Sequence, residues 1–172
     1  LCNDREVIGT EFYIMEYLDG AIYWYLLLEN LEPEDRRKIY ANKNKVISAL
    51  HMVNCDDVGL SDYGKSGDYV ARQVSRWTKQ YIASETKNIE SMNKLIEWLP
   101  KNIPANDQTS IVHGDFRLDN IVFSKNNILG VLDWELSTLG HPIADFNYHC
   151  LNWRNLPELQ DEKFCKRSGI PT

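Results

Sequence analysis

A polar loop held between two short apolar runs is the feature that most constrains this chain. Residues 113–120 read His-Gly-Asp-Phe-Arg-Leu-Asp-Asn, with Ser-Ile-Val before them at 110–112 and Ile-Val-Phe after them at 121–123. A Lys-Asn-Asn turn and a third apolar run, 128–132, follow and end at Asp133. Short β-branched runs separated by turn residues predict a small β-hairpin whose ends present polar side chains.

The rest of the chain is predicted to be mostly helical. Pro33 is typical of a helix start, and apolar residues recur behind it at helical spacing. A loop is predicted for 56–67, a long helix or a helical pair for 69–98 with a break at 84–91, and a final helix for 143–151. One strand is predicted upstream, from Thr10 to Leu18, ending in a bend at Asp19-Gly20. This order indicates an α+β fold.

Bulk properties exclude several classes of protein. The 172 residues suit one domain or one large lobe with a single core. The net charge is −6 and no basic stripe is present, which argues against nucleic-acid binding. The longest apolar run, 21–28, is too short to span a membrane. Four scattered cysteines, without a Cys-x-x-Cys pair, predict reduced thiols and an intracellular, reducing compartment.

The loop carries the groups that phosphoryl transfer to a hydroxyl requires. A carboxylate must orient the attacking hydroxyl and accept its proton, and carboxylate and amide oxygens must hold Mg²⁺. Kinases place the first carboxylate and the amide on one loop, as His-x-Asp-x-x-x-x-Asn, and a second Asp beyond a following hairpin. Here His113, Asp115 and Asn120 have that spacing, and Asp133 follows the third apolar run.

Each of these residues also has a simpler structural interpretation. A lone His-x-Asp fits an ordinary turn, an Asp–Asn pair often bonds its own backbone, and an Asp after a strand commonly caps a helix. Two other functions stay open: a kinase-like binding module without turnover, and a metal-dependent hydrolase using His113, Asp115, Asp133 and His141. Zinc hydrolases favour several histidine ligands, and this set is rich in carboxylate and amide groups.

Most of the chain resembles the aminoglycoside phosphotransferase-like family, which has a protein-kinase-like fold. The resemblance is strongest to the kinase-like domain fused to acyl-CoA dehydrogenase domains. It rests on residues 9–17, 58–64, 72–77 and 111–145, with Trp-Glu-Leu-Ser-Thr-Leu-Gly-His-Pro at 134–142 as the most specific stretch.

The resemblance implies a division of the chain at residue 18. Residues 1–18 would be the end of the N-terminal lobe and the hinge strand, and 19–172 the helical C-terminal catalytic lobe, incomplete at its C-terminus. The sequence contains no Gly-rich phosphate loop, so that loop and the phosphate-binding lysine would lie upstream of Leu1. The fragment by itself would then bind ATP weakly.

The resemblance also implies roles for the loop residues. Asp115 would be the catalytic carboxylate, and Asn120 and Asp133 would bind Mg²⁺. Arg117 would contact the terminal phosphate; the alternative is a surface pair with Asp119. His113 would be structural, and Asp145 would be a buried anchor for the loop.

The remaining expectations concern ATP and the acceptor. The carbonyl of Glu16 and the amide of Leu18 would contact adenine at the hinge. The acceptor would be a small-molecule hydroxyl, such as a hydroxy acid or hydroxyacyl-CoA, in a protein fused to an acyl-CoA dehydrogenase domain and located in the mitochondrion or peroxisome. One set of aromatic residues could line an apolar acceptor pocket, but most of its members are interpreted as core: Tyr69, Trp77, Tyr81, Trp98, Trp134, Tyr148 and Trp153.

Overall fold

Helices make up most of the fold in this computed structural model, which describes residues 1–106 and 108–172. The helices are α1 Pro33–His51, α2 Tyr69–Ser84, α3 Glu90–Trp98, α4 Pro142–Cys150, α5 Asn152–Asn155, α6 Pro157–Gln160 and α7 Glu162–Ser168. The strands are β1 Ser110–Val112, β2 Ile121–Ser124, β3 Asn127–Val131 and β4 Thr138–Gly140. This is the predicted α+β architecture.

Two small antiparallel sheets flank the polar loop. Strands β2 and β3 form the predicted hairpin, in which Ile121 pairs with Val131. Strand β1 pairs instead with β4, and Ile111 lies opposite Leu139. The second pairing was not predicted, because Thr-Leu-Gly at 138–140 is too short to give a strand signal. Together the two sheets fix both ends of 113–120 and bring the end of β3 next to the loop.

Helix α1 supplies much of the core. Pro33 occupies the first turn, where its missing N–H leaves no hydrogen bond unmade, and Glu34 and Asp35 complement the positive end of the helix dipole. Its buried face packs against the hairpin, the loop and the C-terminal helices. The central core residues are Leu28, Ile39, Tyr40, Ile47, Phe116, Leu118, Ile121, Phe123, Leu159, Cys165 and Ile170.

Helices α2 and α3 confirm the predicted helical pair and its break. Neither helix has a fully buried residue, and Trp77 is 59% exposed. The expectation that most of the helical aromatics belong to the core was therefore wrong: Trp98, Trp134 and Tyr148 are also exposed. Amphipathic spacing identifies a face, but it does not show that another element covers the face. No helix among the described residues is both long and apolar enough to cross a bilayer.

The predicted strand over Thr10 to Leu18 does not form a ladder. Only Phe12 pairs, in an isolated bridge with Cys2, and Ile14 is 87% exposed. The bend predicted at Asp19-Gly20 is absent as well. Directly after these two residues, Ala21 pairs with Phe123 of β2 in an isolated bridge. The composition is typical of a strand, but a strand also needs a neighbour to satisfy its backbone groups.

Candidate active site

Asp145 fixes the start of the polar loop. It lies in the first turn of α4, is 4% exposed, and its carboxylate accepts hydrogen bonds from two consecutive backbone N–H groups, those of His113 at 3.0 Å and Gly114 at 2.9 Å. Gly114 has φ +84°, and a Cβ there would lie 2.7 Å from the Leu136 carbonyl oxygen. The sequence therefore needs glycine at this position for the loop to turn towards Asp115.

His51, at the end of α1, completes the environment of Asp145. Its Nε2 lies 2.9 Å from Asp145 Oδ2. Burial by itself would raise the pKa of Asp145, but the hydrogen bonds from His51, His113 and Gly114 outweigh burial and hold the pKa below its usual value. Asp145 is thus an ionised anchor, in agreement with the support role expected for it.

His113 has a structural position in the site. Its ring is fully buried; Nε2 lies 2.9 Å from the Leu132 carbonyl oxygen, and Nδ1 accepts the Asp115 N–H at 3.2 Å. The ring also packs against Trp134, with centroids 4.7 Å apart. Because both nitrogens are engaged, His113 braces the loop against the end of β3 and has no lone pair left for a metal.

Asp115 and Asn120 are joined directly. The Asn120 side-chain amide donates to the Asp115 carbonyl and to its Oδ2, each at 3.0 Å. This assigns the amide nitrogen to the loop and leaves the Asn120 carbonyl oxygen available as an acceptor or ligand. Asp115 is partly buried, with 17% of its side chain exposed.

Arg117 interacts with two carboxylates. Its Nε lies 3.1 Å from Asp115 Oδ1, and its Nη2 lies 2.9 Å from Asp119 Oδ2. The surface pair with Asp119 that the sequence suggested is therefore present. The second contact also places the guanidinium beside the Asp115 carboxylate.

Asp133 follows β3 next to Asn120. The Leu132 N–H donates to the Asn120 carbonyl at 2.8 Å, which puts Asp133 one residue beyond this pairing. Asp133 has φ +63°, a left-handed backbone conformation that is costly for residues other than glycine. Its carboxylate has no hydrogen bond or ion pair with another described residue. One free carboxylate and one free amide oxygen on adjacent segments fit a hard cation such as Mg²⁺.

Glu16 and Leu18 were predicted to belong to the hinge, and Leu18 lies beside the same hairpin. Leu18 packs over Gly130 of β3, where a Cβ would lie 2.5 Å from Leu18 Cδ1. Glu16 is exposed. Within the described chain, neither the Glu16 carbonyl nor the Leu18 N–H forms a hydrogen bond, so both backbone groups are free for a ligand.

The residues required for a metal hydrolase do not converge. Both ring nitrogens of His141 are engaged, Nε2 with the Asn106 carbonyl oxygen at 3.1 Å and Nδ1 with the Ile143 N–H at 3.2 Å. In the described part of the chain, no group of three or more His, Cys, Asp or Glu side chains is arranged around one point. This geometry disfavours the hydrolase interpretation.

Sequence reasoning missed Lys43 and His149, which line a cavity beside the loop together with Tyr148, a member of the aromatic set already named. Burial, followed by a hydrogen bond with Asp115, raises the pKa of the Tyr148 phenol. Lys43 had a detectable signal, because residues 39, 40, 43 and 47 share one face of α1 and Lys43 is the single charged member. A lysine inside an apolar stripe could have been identified from the spacing.

A helical lobe with a hairpin, a loop carboxylate and a following acidic residue defines a kinase-like phosphotransferase fold. The phosphotransferase enzyme family model matches residues 1–171, and the chain belongs to this family.

Individual relatives agree with this assignment. Acyl-CoA dehydrogenase family member 10 of Mus musculus is 48% identical over 179 residues, which cover all of this chain and 17% of that protein. A candidate aminoglycoside phosphotransferase from Ralstonia eutropha, known from a crystal structure, is 45% identical with a TM-score of 0.85, and the match covers 99% of this chain and 59% of the other. The chain thus spans less than a fifth of this mouse relative's length.

A more distant structure shares the fold. The aminoglycoside phosphotransferase APH(2")-IIa, solved as a ternary complex with streptomycin and ATP, is 20% identical with a TM-score of 0.55. The match covers 89% of this chain and 57% of that protein. The predicted protein-kinase-like fold is confirmed.

Proposed function

We propose that this chain is the catalytic lobe of an ATP- and Mg²⁺-dependent kinase that phosphorylates a small-molecule hydroxyl. The observation that carries the proposal is the junction of Asp115, Asn120 and the end of β3. Asn120 donates to Asp115 through its amide nitrogen and pairs with Leu132 through its backbone. The next residue is Asp133, whose carboxylate has no partner in the described part of the chain. One loop and one strand end thus join a candidate base to two candidate metal ligands.

Asp115 would act on the acceptor hydroxyl. Its carboxylate would orient the hydroxyl and accept its proton as the oxygen attacks the terminal phosphate. Asn120 holds this carboxylate in place, and its free carbonyl oxygen would bind the metal together with Asp133. Bound Mg²⁺ would neutralise charge on the phosphates. Arg117, beside Asp115, would stabilise the negative charge of the moving phosphoryl group.

The nucleotide would bind at the hinge. We assign 1–18 to the end of the N-terminal lobe with the hinge and 19–172 to the C-terminal lobe. The free carbonyl of Glu16 and free N–H of Leu18 would then pair with adenine. The ATP-bound complex of the distant APH(2")-IIa structure, which has the same fold, supports this choice of nucleotide.

The acceptor is proposed to be a hydroxy acid or its coenzyme A thioester. The support is the name of the mouse relative, which links this domain with an acyl-CoA dehydrogenase. We also propose that the two domains are fused in the whole protein. Four free thiols suit an intracellular, reducing compartment such as the mitochondrion or peroxisome.

A binding module without turnover is the second candidate. Arg117 Nε lies 3.1 Å from Asp115 Oδ1, an atom that an acceptor hydroxyl would need. If that contact persists with nucleotide bound, the carboxylate is blocked and the chain binds ligand without reaction. The two functions differ in turnover and agree in nucleotide binding.

Phosphoryl transfer in the full-length protein tests the proposal. ATP consumption with hydroxy acids and their thioesters is measured for the wild type, for Asp115→Asn and for Asp57→Asn, an exposed control in the 56–67 loop. We expect Asp115→Asn to retain nucleotide affinity and to lower turnover by at least 100-fold. Equal turnover in the two variants would remove Asp115 from the mechanism, and nucleotide binding without turnover in the wild type would favour the binding module.

A further inference from the structure

A cavity of about 270 Å³ adjoins the loop on the side of α1 and α4. This volume is close to the lower end, about 300 Å³, of ordinary small-molecule pockets. Two of its wall residues, Arg117 and Tyr148, also interact with the Asp115 carboxylate. The cavity is therefore continuous with the surroundings of the candidate base. Its remaining walls combine apolar residues with polar ones: Trp24, Leu26, Lys43, Phe116, Leu118, Asp119, His149, Leu151 and Asn152.

Lys43 is the unusual member of this wall. The residue is 1% exposed, and in the described chain its ammonium has no carboxylate within ion-pair distance. Its Nζ lies over the Phe116 ring, 5.4 Å from the ring centroid. Burial lowers the pKa of Lys43 to about 7, although Asp119 and Cys150 act in the opposite direction, and Arg117 adds to the lowering. A buried cation without a counterion is costly unless a ligand supplies one.

His149 is a second incompletely satisfied group in the same wall. It is 5% exposed, and its Nε2 lies 3.0 Å from Asn44 Oδ1. Its Nδ1 is buried and has no hydrogen-bond partner among the residues that the structure describes. If Nε2 donates to Asn44, Nδ1 is an acceptor and can take an O–H or N–H from a ligand. Its ring, like the Lys43 ammonium, faces Phe116, with ring centroids 6.5 Å apart.

We propose that this cavity is the acid-group subsite for the acceptor, with Lys43 binding the carboxylate of a short aliphatic acid. The apolar walls would contact the carbon chain, and Arg117 and Tyr148 lie between this subsite and Asp115, towards which the acceptor hydroxyl would extend. The role of the cavity as an acceptor subsite rests on the proposed kinase function. Binding of an anion by Lys43 can be tested independently of catalysis. Arg117 is already paired with Asp115 and Asp119, so Lys43 is the cation of the described wall that remains for a ligand. A single such cation suits a carboxylate better than a phosphate dianion, which needs several donors.

Binding of butyrate tests the subsite without nucleotide. The full-length protein is titrated with butyrate, with uncharged butyramide and with inorganic phosphate, and heat and side-chain NMR shifts are recorded. Lys43→Met is compared with Lys45→Met, which removes an exposed lysine from the same helix. We expect butyrate to bind the wild type and Lys45→Met equally, and to bind Lys43→Met at least tenfold more weakly. Butyramide should bind at least tenfold more weakly than butyrate.

A second measurement does not depend on a variant. The ¹³Cε signal of Lys43 is followed against pH, and bound butyrate should raise the Lys43 pKa by at least one unit, because the anion stabilises the charged form. The pH titration is run with and without butyrate. The other titratable and charged groups near the Lys43 ammonium are the same in both runs: Asp119, Cys150, Arg117 and His149. Equal butyrate affinity in wild type and Lys43→Met, an unchanged Lys43 pKa, or binding of phosphate in preference to butyrate would overturn the proposal. Butyrate binding in a protein without phosphoryl transfer would refute the kinase function and leave the anion site standing.

Discussion

His51 Nε2 lies 2.9 Å from Asp145 Oδ2, which joins the last residue of α1 to the first turn of α4 across 94 positions of sequence. The same carboxylate accepts the backbone N–H groups that open the polar loop. The position of Asp115 therefore depends on the packing of two helices through one buried anion.

Asp145→Asn should lower the free energy of unfolding by about 3 kcal/mol, because an amide cannot replace a buried carboxylate that accepts hydrogen bonds from three donors. Urea unfolding measures the loss. The control is Asp57→Asn, which changes the same charge at an exposed site and should stay within about 0.5 kcal/mol of the wild type. A loss of similar size in both variants would show that Asp145 does not anchor the loop.

Gly114→Ala separates backbone strain from steric contact. Gly114 and Gly59 both have positive φ, +84° and +68°, but a Cβ at Gly114 meets the Leu136 carbonyl at 2.7 Å whereas a Cβ at Gly59 meets nothing within 4 Å. Gly59→Ala should cost about 1–2 kcal/mol from the left-handed conformation alone. Gly114→Ala should cost about 2–3 kcal/mol more, because an overpacked position adds its own penalty. Thermal or urea unfolding of both variants gives the difference, and equal costs would mean that the loop moves away from Leu136 without strain.

Stability should fall as the pH drops from 6.5 to 4. Burial first, and then the Lys43 charge, lower the pKa of His149 to about 4, so the unfolded chain takes up a proton near pH 6.5 that the folded chain refuses. The stability that comes from keeping His149 neutral is fully present above pH 6.5 and is lost as the pH falls towards 4. At 1.36 kcal/mol per unit of pKa, the loss amounts to about 3 kcal/mol. Asp145 acts in a lower window, because its lowered pKa affects stability only below its ordinary value of 3.8.

His149→Gln tests this assignment, because glutamine does not titrate and its amide can still donate to Asn44. Urea unfolding is measured at intervals from pH 7 to pH 4 for both proteins. The wild type should lose stability more steeply with falling pH than the variant. Parallel pH profiles would show that His149 titrates normally in the folded protein.

Local elements were predictable from local signals. The hairpin follows from two β-rich runs around a turn, and α1 follows from Pro33 and its apolar spacing. The order of Asp115, Asn120 and Asp133 identified the loop because their chemistry requires fixed short intervals. These signals act over fewer than about 20 residues, so sequence reasoning reached them. The roles of these three residues stay predictions until phosphoryl transfer is measured.

Relationships between distant segments were not predictable. The pairing of Ile111 with Leu139 and the contact of His51 with Asp145 depend on tertiary packing, which a single sequence does not reveal. The failure of Thr10 to Leu18 to form a ladder has the same cause. Its β-branched and aromatic residues favour a strand, but pairing depends on a neighbour that composition cannot report.

Lys43→Met should stabilise the fold by about 2 kcal/mol at pH 7. The lysine is buried and has no carboxylate partner among the described residues, and replacing a buried charged group by an apolar one of similar length is often stabilising. Its pKa of about 7 in the folded chain, against 10.5 as the ordinary value, means that the wild type gains stability as the pH rises from 7 towards 10.5. Urea unfolding at pH 7 and pH 9 should therefore show a gap between Lys43→Met and wild type that narrows at the higher pH. Lys45→Met, which changes an exposed lysine on α1, should have the same free energy of unfolding as the wild type at both pH values. If Lys43→Met were less stable than the wild type, the Lys43 ammonium would already have a favourable partner in the folded chain.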